Sequence, residues 1–255
     1  MPRPATTASE WLVPEWPVAP RVRAFVTTRN GGVSRGAYAS FNVGGGSADR
    51  DEPAAVTQNR RLLARHLPRP PTWLTQVHGT AVATLAAPQA APPTADAAVT
   101  RAPAVPLAVR VADCLPVFLA DRAGTVVAVA HAGWRGLASG VIEHTVEAMG
   151  SPGADIVAWL GPGIGADAFE VGEDVHRAFT RHDRTAAACF VAQRPGKWRA
   201  DLAGLARLRL AACGIGAVHG GEWCTVRDPA RFYSYRRDGT TGRMAAVIWI
   251  EPEQA

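Results

Sequence analysis

Three side chains in this sequence stand where an apolar run gives way to a turn. His78 closes "TWLTQVHG" and precedes Gly79, Cys114 interrupts "PLAVRVADCLPVFLAD" just before Pro116, and His131 closes "TVVAVAH" just before Gly133. Strand ends that carry polar residues are where α/β folds place chemistry. Two imidazoles and one thiolate, if brought together, suit a borderline-soft divalent ion, zinc above all. Three protein ligands leave a fourth position open, the catalytic form of a zinc site, where water deprotonates near a pH of about 7. Taken singly, Cys114 also reads as a buried structural thiol and His78 as a solvated histidine. The intervals between them match no short zinc-binding spacing, so the repeated strand-end context is what joins them. His66, His144, His176, His182 and His219 fall on helix faces or in loops among charged neighbours.

The stretch "VVAVAHAGWRGLASGVIEHTVEAM", residues 126–149, passes from a buried strand through His131 into an amphipathic helix expected from about Gly136. Helix starts bind anions through free N–H groups and the dipole, and Arg135 sits beside this one. A phosphate next to His131 is therefore expected there. Arg135 in a structural ion pair is the alternative reading, and Trp134 is read as packing in preference to substrate stacking. Gln76 lies two residues before His78, on the same side of the chain if the segment is a strand, and is a candidate substrate contact with Asn42 and Arg60. Asp113 is the candidate to orient a ligand from behind. "GPGIGA" at residues 161–166 formally fits a dinucleotide-binding fingerprint. Pro162 lacks the N–H a pyrophosphate wants and Gly172 interrupts the segment after the loop, so a substrate-facing loop is the better reading.

Periodicity places these residues on strands, helices and loops. Strands are expected at residues 22–28, 72–78, 125–131, 155–160 and 243–251, with two more inside residues 106–121 broken at Asp113-Cys114 and Pro116. Helices are expected over residues 52–67, with Pro53 in the first turn, and over residues 201–215, with a glycine stop. "RNGGVSRGAYASFNVGGGSADRD" is a long Gly/Ser/Asn-rich loop of the functional kind, and "AAPQAAPPTA" is a connector too short to separate domains. Strands and helices alternate without a clean βαβ rhythm, which fits one α/β domain with mixed sheets over residues 1–255.

Composition narrows the function classes. The chain has 255 residues, 47% hydrophobic and 19% charged, enough for a large core. No 18-residue apolar run predicts a membrane span, and "MPRPATTASEWLVPEWP" lacks the apolar region of a secretion signal. A cytoplasmic location is expected. Cys114, Cys189, Cys213 and Cys224 form no C-x-x-C pair, so no disulfide framework is expected. The net charge of +5 comes almost wholly from arginine. These arginines are scattered, which argues against a nucleic-acid partner and leaves room for some to line an anionic substrate's pocket.

Several strings are recognisable in order from about Val22 to Ile250: "TTRNGGVSRGAYASFNVG", "WLTQVHG", "ADAAVT", "LAVRVADCLPVFLAD", "VAVAHAGWRGLASGVIEHTV", "WLGPGIGADAFEVG", "GGEWCT" and "FYSYRRDGTTGRMAAVIWI". The chain resembles the laccase-domain family, also known as polyphenol-oxidase-like proteins, multifunctional purine nucleoside enzymes or peptidoglycan editing factors. The resemblance implies a single layered α/β/β/α domain with mixed β-sheets and a metal site of two histidines and one cysteine, which fall on His78, Cys114 and His131. It also implies zinc-dependent phosphorolysis of adenosine, guanosine, inosine and methylthioadenosine, and deamination of adenosine. One departure stands out. Family members carry a "HVGDD"-like run where this chain reads "FNVGGGSADRDE", without the histidine, so contacts made by that loop are not carried over.

Three chemistries compete. In zinc phosphorolysis phosphate attacks the anomeric carbon and the purine leaves, a barrier lowered by positioning and charge stabilisation. Deamination rests on the resemblance alone, because the H-x-E and P-C-x-x-C signature of zinc deaminases is absent. Copper oxidation of phenols draws on several coppers and more than the seven histidines present. Copper also binds such ligands more tightly than zinc, so its presence alone would decide little. A metal-free amidase with Cys114 as nucleophile and a histidine as base suits editing of a peptidoglycan precursor, which a zinc-bound water would serve equally well. A binding module is the non-enzymatic alternative, against which an open three-ligand site argues. Expected partners are a purine nucleoside and phosphate, with no nucleic acid and no membrane, on a monomer or weak homodimer. Arg236 and Arg237 could serve substrate or structure.

Overall fold

Strand β6 (Leu115–Asp121) is buried at every position, as a strand covered on both faces must be. Its side chains alternate between two cores. Val117 and Leu119 face one, while Phe118 and Ala120 face the other. The computed structural model describes residues 11–45, 50–89 and 91–252. β6 lies inside a six-stranded mixed sheet that reads β12 (Ala217–Gly220), β8 (Ile156–Leu160), β6, β7 (Val127–Ala132), β4 (Ala97–Thr100) and β3 (Val82–Thr84). A four-stranded sheet, β1 (Val22–Val26), β13 (Met244–Ile250), β5 (Leu107–Val111) and β2 (Thr72–Trp73), packs across its Phe118 face. The other face carries α2 (Trp134–Ser139), α3 (Val141–Met149), α4 (Glu173–Thr180) and α5 (Leu202–Ala212). Helix α1 (Pro53–Ala64) covers the outside of the four-stranded sheet through Leu63. The layers are therefore α/β/β/α with mixed sheets, as expected. A small sheet of β9 (Glu170–Gly172), β10 (Phe190–Arg194) and β11 (Lys197–Ala200) is added at one end.

Several expected boundaries move for local reasons. Pro53 opens α1, and Asp201 caps α5 by accepting from the Gly204 N–H at 2.9 Å. The helix expected from Gly136 starts instead at Trp134 and is interrupted by Gly140, whose φ of 100° ends α2 before α3 begins. Pro116 does not break a strand. It pairs with His131 near the start of β6, before β6 meets β8 at Val117. The strand expected over residues 72–78 stops at Trp73. Beyond a single bridge from Thr75 to Thr94, the backbone N–H groups of Val77, His78 and Gly79 are taken by a carboxylate rather than by a neighbouring strand. No helix among the described residues is long and apolar enough to cross a membrane.

Candidate active site

β5 belongs to one sheet and β6 to the other, so the turn at residues 112–114 crosses between them. Asp113 takes a φ of 89° to make that crossing, and Cys114 sits at its end. β7 runs beside β6 and delivers His131 opposite Pro116. The chain leaving β2 brings in His78 with φ 61°, a left-handed conformation that histidine tolerates better than most residues. The three expected ligands thus meet. Their ligand atoms lie within 4.8 Å of one another, with Cys114 Sγ 3.8 Å from His78 Nε2 and the two imidazole rings 4.9 Å apart. In a tetrahedral zinc site the S···N edge is about 3.5 Å, so the donor set fits such an ion, and the trio would draw in from its 4.8 Å span to hold it.

One carboxylate organises two of the three. Asp96, fully buried at the entry to β4, accepts from the Val77, His78 and Gly79 N–H groups at 3.1, 2.9 and 2.7 Å. It also bonds His131 Nδ1 at 2.9 Å, which leaves Nε2 as the nitrogen His131 offers. Sequence reasoning assigned this supporting role to Asp113 and missed Asp96; a lone acid leading into the apolar run of "ADAAVT" was the available signal. Asp113 instead accepts from the Thr225 hydroxyl at 2.6 Å and the Arg236 N–H at 2.6 Å. It ties the crossing turn to the short helix α6 (Tyr235–Asp238).

The charges are coupled. Burial works to raise the Cys114 thiol pKa, but the charges of and hydrogen bonds to His131 and His78 outweigh it and bring the thiol down to about 6. Burial works to lower the His131 pKa, and the Cys114 thiolate with the Asp96 carboxylate lifts it instead to about 9. Burial opposes ionisation of Asp96 as well, and the bonds from His131, Gly79 and Val77 hold its pKa below the usual carboxylate value. Thiolate and carboxylate together carry the two negative charges that complement a divalent cation.

The two glycines around Trp134-Arg135 answer to close packing. A Cβ on Gly133 would lie 2.8 Å from Cys114 Sγ and 3.1 Å from His78 Cδ2, and one on Gly136 would lie 2.8 Å from the Gly79 carbonyl oxygen. The helix can pass this near the ligands only without those side chains. The trio opens on a cavity of about 420 Å³. Trp134, Ile164, Phe169, Leu202 and Tyr235 give it an apolar wall, and Arg110, Arg236 and Arg243 give it cationic corners. Ile164 puts the "GPGIGA" loop at the cavity, as the substrate-facing reading expected. Gln76 also lines it, though not from a strand: its amide is fixed by two 2.9 Å bonds to the backbone of Arg110.

Three expected contacts are not on the cavity lining. Asn42 is fully buried, accepting from Gly44 and Arg243 N–H groups and donating to Asp51, so it holds loops together. Arg60 donates to the Val43 carbonyl at 2.7 Å and stacks on Trp73. Arg135 is exposed and lies over the Trp134 ring at 4.3 Å, and the helix start expected at Gly136 falls instead at Trp134. Sequence reasoning missed Arg110 and Arg243. Arg110 follows apolar Val109 in a strand and Arg243 precedes one, a signal that appears only when both ends are known to meet. The loop whose histidine departs from the family pattern runs through residues 46–49, outside the described residues.

A layered α/β/β/α domain with an open His-Cys-His trio facing a cleft defines a class of single-domain α/β proteins with a candidate metal centre. The sequence model described as "Multi-copper polyphenol oxidoreductase laccase" matches residues 23–251, and the chain belongs to that family. It is similar to a Pseudomonas aeruginosa protein named purine nucleoside phosphorylase, 50% identical over 94% of this chain and 98% of that one. It is also similar to the Escherichia coli purine nucleoside phosphorylase YfiH, 46% identical over 95% and 99%. A solved Neisseria meningitidis protein, NMB0706, superposes with a TM-score of 0.92 at 48% identity, covering 95% of this chain and all of that one.

Proposed function

We propose that this chain is a zinc-dependent purine nucleoside phosphorylase acting on adenosine, guanosine, inosine and methylthioadenosine, with deamination of adenosine as a second activity. The observation that carries the reading is near full-length similarity to proteins named purine nucleoside phosphorylase. The cavity supports it. Its aromatic and aliphatic wall suits the flat face of a purine, and its arginines suit phosphate. His78, Cys114 and His131 would hold the ion. When bound, it would supply Lewis acidity toward a phosphate or water oxygen. In phosphorolysis a phosphate oxygen forms a bond to the sugar's anomeric carbon as the carbon–nitrogen bond to the base breaks, and the departing purine takes up a proton. Orienting the two reactants and neutralising phosphate are what the chain's own residues would contribute.

The test is base release from inosine and adenosine by metal-analysed protein, with and without phosphate. Expected are about one zinc per chain, release that requires phosphate and yields a sugar 1-phosphate, and loss on chelation that zinc reverses. Release indifferent to phosphate, or several tightly held coppers, would overturn the reading. Among the described residues one group of side chains is spaced to hold an ion, whereas four-electron reduction of O₂ draws on several coppers.

One observation favours a second reading, a Cys/His amidase that edits a peptidoglycan precursor. The Cys114 thiol pKa falls to about 6 beside a histidine 3.8 Å away. The thiolate would attack an amide carbonyl, a histidine would protonate the leaving amine, and water would release the thioester. Cys114→Asp separates the two readings, because a carboxylate ligates zinc but forms no thioester. Zinc-dependent residual activity in that variant supports the metal role. Full wild-type activity after metal removal, with a substrate mass adduct on Cys114, would establish the amidase.

A further inference from the structure

We infer that Asp96 is the positioning residue of the His78–Cys114–His131 group: one carboxylate sets both the proton on His131 and the backbone that presents His78. The inference rests on the metal-site reading and goes beyond it by assigning the carboxylate that prepares the ligands. Oδ1 of Asp96 faces the His78 N–H and His131 Nδ1, and Oδ2 faces the Val77 and Gly79 N–H groups. The Asp96 carbonyl also accepts from the His131 N–H at 2.7 Å, so His131 is held at backbone and ring by the same residue. A non-glycine residue in the left-handed region persists only where its surroundings over-determine it. Three N–H groups converging on one buried carboxylate provide that determination at His78.

The ring contact has a sharper consequence. A carboxylate only accepts, so His131 keeps a proton on Nδ1, and Nε2 is the nitrogen whose lone pair faces Cys114 and His78 once an ion displaces its proton. Asp96→Asn keeps the shape and reverses this. The amide NH₂ in the place of Oδ2 would face two backbone N–H groups. In the place of Oδ1 it faces one N–H and an imidazole, and the imidazole alone can move its proton. The amide nitrogen therefore settles toward His131, Nδ1 becomes the acceptor, and the proton moves to Nε2, where it blocks ligation. A fixed ligand orientation of this kind is worth about 10–100-fold in metal affinity.

Two measurements test this. Zinc affinity is read by competition with a chromophoric chelator, on wild type and on Asp96→Asn shown to be folded by near-ultraviolet circular dichroism. Nitrogen-15 spectra of zinc-loaded wild type report which ring atom of His131 carries the slowly exchanging proton. Expected are a proton on Nδ1 in wild type and about a 10–100-fold loss of zinc affinity in the variant. A folded variant that keeps affinity within about threefold would overturn the role, and so would ligation of zinc through Nδ1 in wild type, which decides the matter even if the variant does not fold. If wild type takes up no zinc, the metal site falls and this role with it. If wild type takes up zinc and Asp96→Asn does so equally well, only the role falls.

Discussion

Cys114 is pulled in two directions, and the balance can be read in solution. Its thiolate persists down to a pH of about 6 because the two histidines outweigh burial. Burial, with the carboxylates Asp201 and Asp183 around Cys189 and with Glu143 near Cys213, pushes those two thiols above the ordinary range. The thiolate is the reactive form. In zinc-stripped protein, iodoacetamide should therefore label Cys114 well ahead of Cys189 and Cys213 at pH 7, with the rate falling as pH drops through about 6. Zinc should protect Cys114 and leave the slower sites unchanged. Peptide mass mapping across pH 5–9 checks it. Equal labelling of the three at pH 7 would remove the coupling between Cys114 and the histidines. The trio itself was legible in the sequence because Cys114 and His131 stand at strand ends and His78 closes a strand-like run before a glycine. Asp96 was missed because its partners, three backbone N–H groups and the His131 ring, lie far from it in sequence, and a lone acid before an apolar run does not say which of them it will meet.

The junction between β7 and α2 shows what an element contributes. Gly133 has φ −65° and ψ 156°, which any residue adopts, so its conformation does not require glycine. Its space does, since a methyl there meets Cys114 Sγ at 2.8 Å. Gly133→Ala should therefore cost about 1–3 kcal/mol of stability and also displace Cys114 or His78, with zinc affinity falling about tenfold or more. Chelator competition alongside urea unfolding separates the two effects. Unchanged affinity would mean that the helix shifts freely and the close approach is incidental. The apolar strands were readable from composition and the α1 and α5 boundaries from Pro53 and Asp201. The segment at residues 74–79 was not, because it carries strand-like residues whose hydrogen bonds go to a side chain. The split at Gly140 was not either, since an isolated glycine in a helical pattern is usually tolerated.

At the scale of the whole molecule, the trio ties the two sheets together. Cys114 sits on the crossing from β5 to β6, His131 lies in the six-stranded sheet, and His78 follows β2 of the four-stranded one. The layering was legible in the alternation of helical and strand patterns. The third sheet was not, because β10 is exposed along most of its length and shows no apolar face. An ion held at the trio binds the folded chain in preference to the unfolded one and stabilises it by mass action. At free zinc a thousandfold above its dissociation constant this amounts to about 4 kcal/mol. For a chain of this size that is an upward shift in Tm of roughly 8–16 °C. Core packing is a separate contribution. Phe118, fully buried and stacked on Trp159 between the sheets, should cost about 3–5 kcal/mol when cut to alanine. Calorimetry with zinc and with chelator on three proteins distinguishes the two. Wild type should show the zinc-dependent shift, Phe118→Ala should lose stability in both conditions while keeping the shift, and His131→Ala should lose most of the shift. A zinc-dependent shift that survives in His131→Ala would place the stabilising ion elsewhere in the molecule.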